Sequence, residues 1–468
     1  MGSQVESVLV GRAALLMSLC RQVKAAALGR GGLVLLAGEP GIGKTALAAE
    51  VLSYARGLGV AAAWGSCEDG GTAPGLWPWQ QILRAVTGRP EPLGAGDAAR
   101  PAGGGEDSRL VVEMASLDTA EVDEAVGKVF GDLGVNRTAP LIVLGDRLGL
   151  FRTLAGAGPL ASAELAGRTG LAERYVREWP RAVAVAGYLG YDPATDRFTL
   201  SDAYAAVLAD DAAPTSLIGV FAGLRALWAD LDHVEEFFRT GGGMGRGDHH
   251  RALGAAQERF TRPAYVHGLI AEWIPAVDGI VPKREAGATV ADLGCGRGLS
   301  SILIAQRWPN ARVTGFDPDD AAIAHARSAA TRAEIDGRVA FEVADSASYP
   351  GSGYDLVTFT DSLHDMGDPR AAAHARASLA EEGTVLLVEP LAADRFEDDF
   401  ANPYARIGYA VSTLVRAPSS LAQPGVAALG AMAGEARLRD VLTAGGLTRV
   451  RRIAQDSAPI NIILEVRP

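Results

Sequence analysis

Residues 288–298 read ATVADLGCGRG. A short apolar run leads into an acidic residue and then three glycines at alternate positions, Gly294, Gly296 and Gly298. The helical pattern LSSILIAQRW follows at once, so the stretch predicts strand, tight turn and helix in succession. Glycines, having no Cβ, let such a turn take positive φ. A ligand can then lie against main-chain N–H groups at the start of the helix. Three glycines alone are a weak signal, and the chain on either side decides how to read them.

Downstream, ARVTGFD over residues 311–317 predicts a second strand ending in a carboxylate, Asp317. It comes roughly 20 residues beyond the glycines, where a carboxylate can accept both hydroxyls of a ribose. Then follow a helix (DDAAIAHARSAATRAEI), a strand ending at Asp345 (VAFEVAD), a strand (YDLVTFTDSLHD), a helix (DPRAAAHARASLA) and a strand (GTVLLVEP). This alternation predicts an α/β fold with a parallel, doubly wound, Rossmann-like sheet whose ligands sit at the carboxyl ends of the strands. Gly294, Asp317, Asp345 and His364 all fall at or just past such ends.

Taken in order, DLGCGRG, GFD, VAD and the closing INIILEVRP resemble class I S-adenosylmethionine-dependent methyltransferases, over about residues 289–468. A dinucleotide dehydrogenase is the competing reading, but GCGRG lacks the G-x-G-x-x-G spacing. The resemblance implies S-adenosylmethionine as cofactor and a set of residues to hold it. The glycine loop with Gly294, Cys295, Gly296 and Gly298 would cradle the methionine part, Asp317 would hold the ribose and Asp345 would face the adenine amino group, with Pro318 and Ser346 also among the cofactor-binding residues. Asp292 would orient the loop and, indirectly, the ligand's ammonium; Thr360 completes the set.

A winged helix before this domain, together with SLHDMGD, narrows the resemblance to small-molecule O-methyltransferases. Their pattern places a general-base histidine before an aspartate and an aromatic. This chain has His364, Asp365 and Met366, keeping the histidine and losing the aromatic. An imidazole with a pKa near 6.5 is largely neutral at pH 7 and can take a hydroxyl's proton as the oxygen attacks a methyl group. Removing a phenol proton beforehand would cost about 3.5 pK units, roughly 5 kcal/mol, so transfer late in the attack is the sensible route. The alternative is a histidine that only caps the loop and fills the pocket wall. The resemblance also implies that Glu389 (in LLVEP) and Glu435 (in AGEARLRDV) flank and orient the imidazole, although each could be a salt-bridged structural carboxylate. Residues 394–433 form an insertion; Tyr404 and Tyr409 on it, with Asp365, are expected to face the substrate, or else the insertion makes a dimer or domain contact.

Upstream, residues 31–56 carry a buried-strand run and then Gly38, Gly41, Gly43, Lys44 and Thr45 in the phosphate-loop spacing. Such glycines expose N–H groups to phosphates, the lysine reaches the terminal phosphates and the threonine offers a hydroxyl to magnesium, so the segment either binds ATP with magnesium or is a structural remnant of such a site. The stretch up to Trp79 resembles the first part of the ATP-binding domain of large LuxR-type bacterial regulators. That resemblance stops near Arg89, and residues 90–108, rich in Pro, Gly and Ala, read as a linker. The expected organisation is therefore a partial nucleotide-binding segment (1–89), the linker (90–108), a helical and winged-helix domain (109–283) and the methyltransferase domain (284–468).

The winged helix raises DNA binding, since Arg174, Arg177 and Arg181 share one helix face. Five arginines meet six carboxylates across residues 158–202, and Pro180 is expected to interrupt the helix, so packing or dimerisation is favoured. His249 and His250 in GGGMGRGDHH lack an acidic or cysteine partner at ligand spacing and read as a solvated loop, with no metal. Trp228, Phe237, Phe238, Tyr265 and Trp273 read as core. A formal charge of −12 disfavours a general nucleic-acid or anionic-membrane surface. The three cysteines are too few and scattered for a disulfide framework, which points to a reducing cytoplasm. The expected partners are a small-molecule acceptor and a second copy of the chain.

Overall fold

The computed structural model describes residues 13–27, 44–60, 119–366, 370–423, 429–454, 456 and 458–468. The chain divides into two units, Met1–Ala125 and Val126–Pro468. In the first, the helices Ala13–Ala27 and Lys44–Gly57 pack on each other. Gly38, Gly41, Gly43 and the linker at 90–108 lie outside the described residues. Lys44 and Thr45 open a helix, as the motif requires, but their side chains are likewise not described.

Residues 162–200 fold as the expected winged helix. The helix Ser162–Thr169 ends at Gly170, whose left-handed φ of 69° turns the chain into the helix Glu173–Val185. A two-stranded antiparallel hairpin follows, β1 (Gly190–Asp192) and β2 (Arg197–Thr199). Phe198, Leu160, Leu165, Val176, Trp179 and Val183 make its core. Pro180 does not interrupt the helix: it lies buried inside it. Arg174 and Arg177 are bound to Glu178 and Glu173 one turn away, and Arg181 lies 3.5 Å from Asp196.

The C-terminal part is a seven-stranded sheet in the order β5-β4-β3-β6-β7-β9-β8. Its strands are β3 (Thr289–Leu293), β4 (Arg312–Asp317), β5 (Val339–Val343), β6 (Tyr354–Thr360), β7 (Leu379–Pro390), β8 (Arg449–Arg452) and β9 (Asn461–Arg467). Strands β3 to β7 run parallel, as alternating strand and helix demands. The sheet is nevertheless mixed: β9 is antiparallel to β7, and β8 to β9. Only residues 453–460 separate β8 from β9, too short a link for the crossover that a parallel pair needs. Apolar side chains fill both faces, with Ile304, Ile323 and Trp273 on one side and Leu387, Leu438 and Leu442 on the other.

Because β3 pairs with β4 on one side and β6 on the other, the connections leave it in opposite directions. A crevice opens at the carboxyl ends of these strands, the position that places ligands in open α/β sheets. The strand expected to run through SLHD stops at Thr360, because Asp361 takes a φ of 54° and turns the chain into a short 3-10 segment, Leu363–Asp365. Tyr265 and Trp273 are core as expected, but Trp228 and Phe238 are 64% and 76% exposed. No helix among the described residues is long and apolar enough to cross a membrane.

Candidate active site

The crevice is a cavity of about 770 Å³, open at the ends of β3, β4 and β6 and roofed by the glycine-rich loop at 245–251 and the helix Ala417–Leu421. Its glycine turn is built as the sequence predicts. Gly294, Gly296 and Gly298 have φ of 68°, 53° and 83°. The N–H groups of Gly294 and Cys295 both donate to the Phe316 carbonyl, at 2.8 and 3.0 Å, pinning the turn against β4. A Cβ on Gly294 would come within 2.6 Å of Ser362 Cβ, and one on Gly298 within 2.7 Å of Ala326 and Phe341, so both positions require glycine by space as well as by conformation.

Of the residues expected at the cofactor, Gly294, Cys295, Gly296, Asp317, Pro318, Asp345, Ser346 and Thr360 line the cavity. Asp317 accepts hydrogen bonds from the Gly296 and Asp319 N–H groups, at 2.8 and 3.0 Å. Burial pushes its carboxyl up, against the pull of those two donors. Asp345 is exposed and accepts from Ala347 N at 2.7 Å. The Thr360 hydroxyl is buried without a hydrogen-bond partner. Gly298 starts the helix behind the turn, and Asp292 lies beneath it, 1% exposed. Asp292 accepts from three hydroxyls: Ser300 and Ser301 at 2.6 Å each and Thr358 at 2.7 Å. It therefore braces the turn from below.

The expected catalytic group is placed differently. His364 is fully buried and does not line the cavity. Its Nδ1 is held by Glu389, which also accepts from Leu363 N at 2.8 Å. Its Nε2 lies 3.5 Å from Asp365 Oδ1. Burial alone would favour the neutral ring, but Glu389 and Asp365 outweigh it and raise the imidazole above its ordinary value. The base expected to face the cavity thus lies below its floor, with its proton affinity raised by the two carboxylates. Glu435 is not near it: Arg439 and Arg452 hold that carboxylate on the helix Gly434–Ala444, so the salt-bridged alternative holds. Glu389 does meet the imidazole as expected.

Asp365 lines the cavity. Its Oδ2 accepts from Arg246 at 3.0 Å and from Arg416, while its Oδ1 is buried without a hydrogen-bond partner. Burial pushes its carboxyl up, but Arg416, His364 and Arg246 outweigh this and hold it below the usual range. The two insertion tyrosines do not line the cavity. Tyr409 donates to Asp399 at 2.8 Å, a bond internal to the insertion. Tyr404 is half-buried, its phenol pushed up by burial and by Asp361.

Three features escaped the sequence reading. Arg246, in the glycine-rich loop, bridges Asp365 and Gln257 (2.6 Å) across the cavity. His249 is not solvated: it is buried, with Nδ1 2.9 Å from Asp230 and Nε2 3.3 Å from Ser419. Asp361 lines the floor, bound by Tyr265 and Asn461. No signal in the local sequence pairs Asp230 with His249 or Asp365 with Arg416, since the partners come from separate elements. No cluster of metal-holding side chains occurs among the described residues. Eight carboxylates and three guanidinium groups line the cavity, so it is strongly acidic.

Comparison with known proteins agrees with this architecture. Residues 265–420 match the model of a methyltransferase domain, residues 137–210 an Rv2258c-like winged HTH domain and residues 8–153 an AAA ATPase domain. The ATPase match runs past the point near Arg89 where the likeness read from the sequence stops. A curated relative, the trans-aconitate 2-methyltransferase of Streptomyces avermitilis, is 42% identical over 77 residues, 16% of this chain and 29% of its own length. The chain thus spans less than a third of that relative. Among solved structures, mitomycin 7-O-methyltransferase superposes with a TM-score of 0.54 at 22% identity, covering 75% of this chain and all (100%) of that one. Human N-acetylserotonin methyltransferase in complex with SAM gives 0.53 at 16% identity, with 75% and 98% covered. Residues of the winged helix and the sheet together thus have the class I S-adenosylmethionine-dependent methyltransferase fold.

Proposed function

From that fold, we propose that the chain transfers a methyl group from S-adenosylmethionine to a hydroxyl of a small-molecule acceptor. The observation that carries this reading is the acidic cavity closed on one side by the glycine turn. The cofactor supplies an electrophilic methyl on a sulfonium and carries a further positive charge on its ammonium. Eight carboxylates against three guanidiniums suit such a cation. The residues present fit it in other ways too. Gly294 leaves space that a Cβ would fill, and the buried Thr360 hydroxyl lacks a partner. Asp317 is pinned by two backbone donors and retains lone pairs for ribose hydroxyls.

At the other end, Asp365 is the acceptor-facing polar group. Arg246 and Arg416 fix it, and as an ionised carboxylate it accepts the hydrogen bond of an incoming hydroxyl. His364 acts through it as a positioning residue: the Glu389 pair fixes the ring, and its Nε2 faces Asp365 Oδ1. Transfer of a methyl label from S-adenosylmethionine to members of a panel of phenols, catechols and polyketides tests the reading. Label appearing in an acceptor, with release of S-adenosylhomocysteine, supports it; cofactor binding without transfer to any acceptor opposes it. His364→Gln should retain several-fold more activity than His364→Ala, with an unchanged pH profile. Equal loss in both, with loss of the acid limb of kcat/KM, would make His364 the base after all.

The ATPase-domain match favours a second, separate reading for the N-terminal segment, that Gly38 to Thr45 bind ATP with magnesium. Loss of nucleotide binding in Lys44→Ala tests it. We read the chain as a cytoplasmic homodimer. The support for the homodimer is an apolar groove of about 420 Å³ beside the winged helix, lined by Leu141, Leu144 and Leu148, with Tyr175 81% exposed; the support for the compartment is the small, scattered set of cysteines.

A further inference from the structure

Asp361 is a buried-site carboxylate that the reading above leaves without a task. It follows β6 directly, lines the cavity and holds a left-handed backbone, φ 54°, that costs a non-glycine residue energy. Three bonds keep it there. Its N–H donates to the Val388 carbonyl at 2.8 Å, the Tyr265 hydroxyl donates to Oδ2 at 3.0 Å and the Asn461 amide donates to Oδ1 at 3.0 Å. Both side-chain donors are neutral. Among the described residues Asp361 makes no ion pair; the cations nearest in charge, His364 and Arg416, are bound by Glu389 and Asp365. Burial pushes its carboxyl up to about 6.

We propose that Asp361 is the direct seat of the α-ammonium group of the methyl donor, a role resting on the methyl-transfer reading. Four observations converge on it. A carboxylate has about four lone-pair sites, and one donor on each oxygen leaves room for two more. The neighbouring Thr360, 7% exposed, lines the same cavity and carries a buried hydroxyl with no hydrogen-bond partner. The glycine turn that would cradle the methionine part is pressed against this strand end, since Gly294 abuts Ser362. Asp292, the residue expected to influence the ammonium, is consumed by three hydroxyls and does not reach the cavity. An ammonium rather than the sulfonium is the fitting partner, because only it brings N–H donors to those lone pairs.

Calorimetric titration separates the contact from a general effect on the cavity. S-adenosylhomocysteine keeps the ammonium and loses the sulfonium charge; 5′-methylthioadenosine lacks the whole amino-acid end. Asp361→Asn should weaken S-adenosylmethionine and S-adenosylhomocysteine by the same factor, roughly 10- to 100-fold, the loss of a charge-assisted bond. It should leave methylthioadenosine unchanged. Asn and Gly both suit the left-handed backbone, so Asp361→Gly, which removes the carboxyl altogether, should show the same pattern. Unchanged S-adenosylhomocysteine affinity, a loss confined to S-adenosylmethionine, or an equal loss for methylthioadenosine would each overturn the assignment while the cofactor reading stands. Failure of the wild-type chain to bind any of the three would overturn both.

Discussion

Asp292 shows how a single side chain sets the shape of the cavity without touching it. It sits 1% exposed under the turn, and burial pushes its carboxyl up, while the hydroxyls of Ser300, Ser301 and Thr358 stabilise the ion. Removing it strips three buried donors of their acceptor. Asp292→Ala should lower the unfolding free energy by about 3 kcal/mol, seen as a reduced midpoint in urea with an unchanged slope. An effect within about 0.5 kcal/mol would mean that the serines find other partners. The acidic residue and the two serines eight and nine residues beyond it, in the first turn of the next helix, are legible as a pattern, because the strand-turn-helix spacing brings them together locally. Thr358 is not, since it comes from β6 by sheet pairing.

At the scale of elements, the loop at 245–251 and the helix Ala417–Leu421 are tied through His249. Its ring joins Asp230, at the end of the helix Ile218–Ala229, to Ser419. Met244 N also donates to Pro418 O at 3.0 Å, so the roof rests on one polar bolt and one backbone bond. Burial lowers the His249 pKa despite its Asp230 partner. A histidine whose folded value is depressed contributes stability above its unfolded pKa of about 6.5, and that contribution falls away as pH drops below this value. His364 has the opposite sign: its folded value is raised, so its contribution is complete below about pH 6.5 and is lost as pH rises through the folded value. Thermal midpoints measured from pH 5 to 8 should therefore lose their acid-side decline in His249→Gln and their alkaline-side decline in His364→Gln. The same slopes in wild type and variant would refute the respective assignment. Sequence spacing around GGGMGRGDHH could not reveal this, because Asp230 and Ser419 lie 19 and 170 residues from His249.

For the whole molecule, the winged helix offers no free basic face: Arg174, Arg177 and Arg181 are each met by a carboxylate, and the chain carries a formal charge of −12. Retention of the chain on duplex DNA should be absent near 150 mM salt in a mobility-shift assay. A salt-sensitive complex there would revive a regulatory reading. The alternation of apolar runs and helices, the three glycines and the acidic strand ends determined by themselves the doubly wound sheet and the crevice at its strand ends, because period, turn chemistry and strand order act over short stretches of chain. Only the tertiary structure decided which polar groups share one low-dielectric space. It turned β9 against its neighbours, sank His364 beneath the floor beside Glu389, and brought Arg246 and Asp361 to the cavity from segments 115 residues apart in number. Burial and pairing across such distances set the charge state of each group, and neither is a property of any local run of residues.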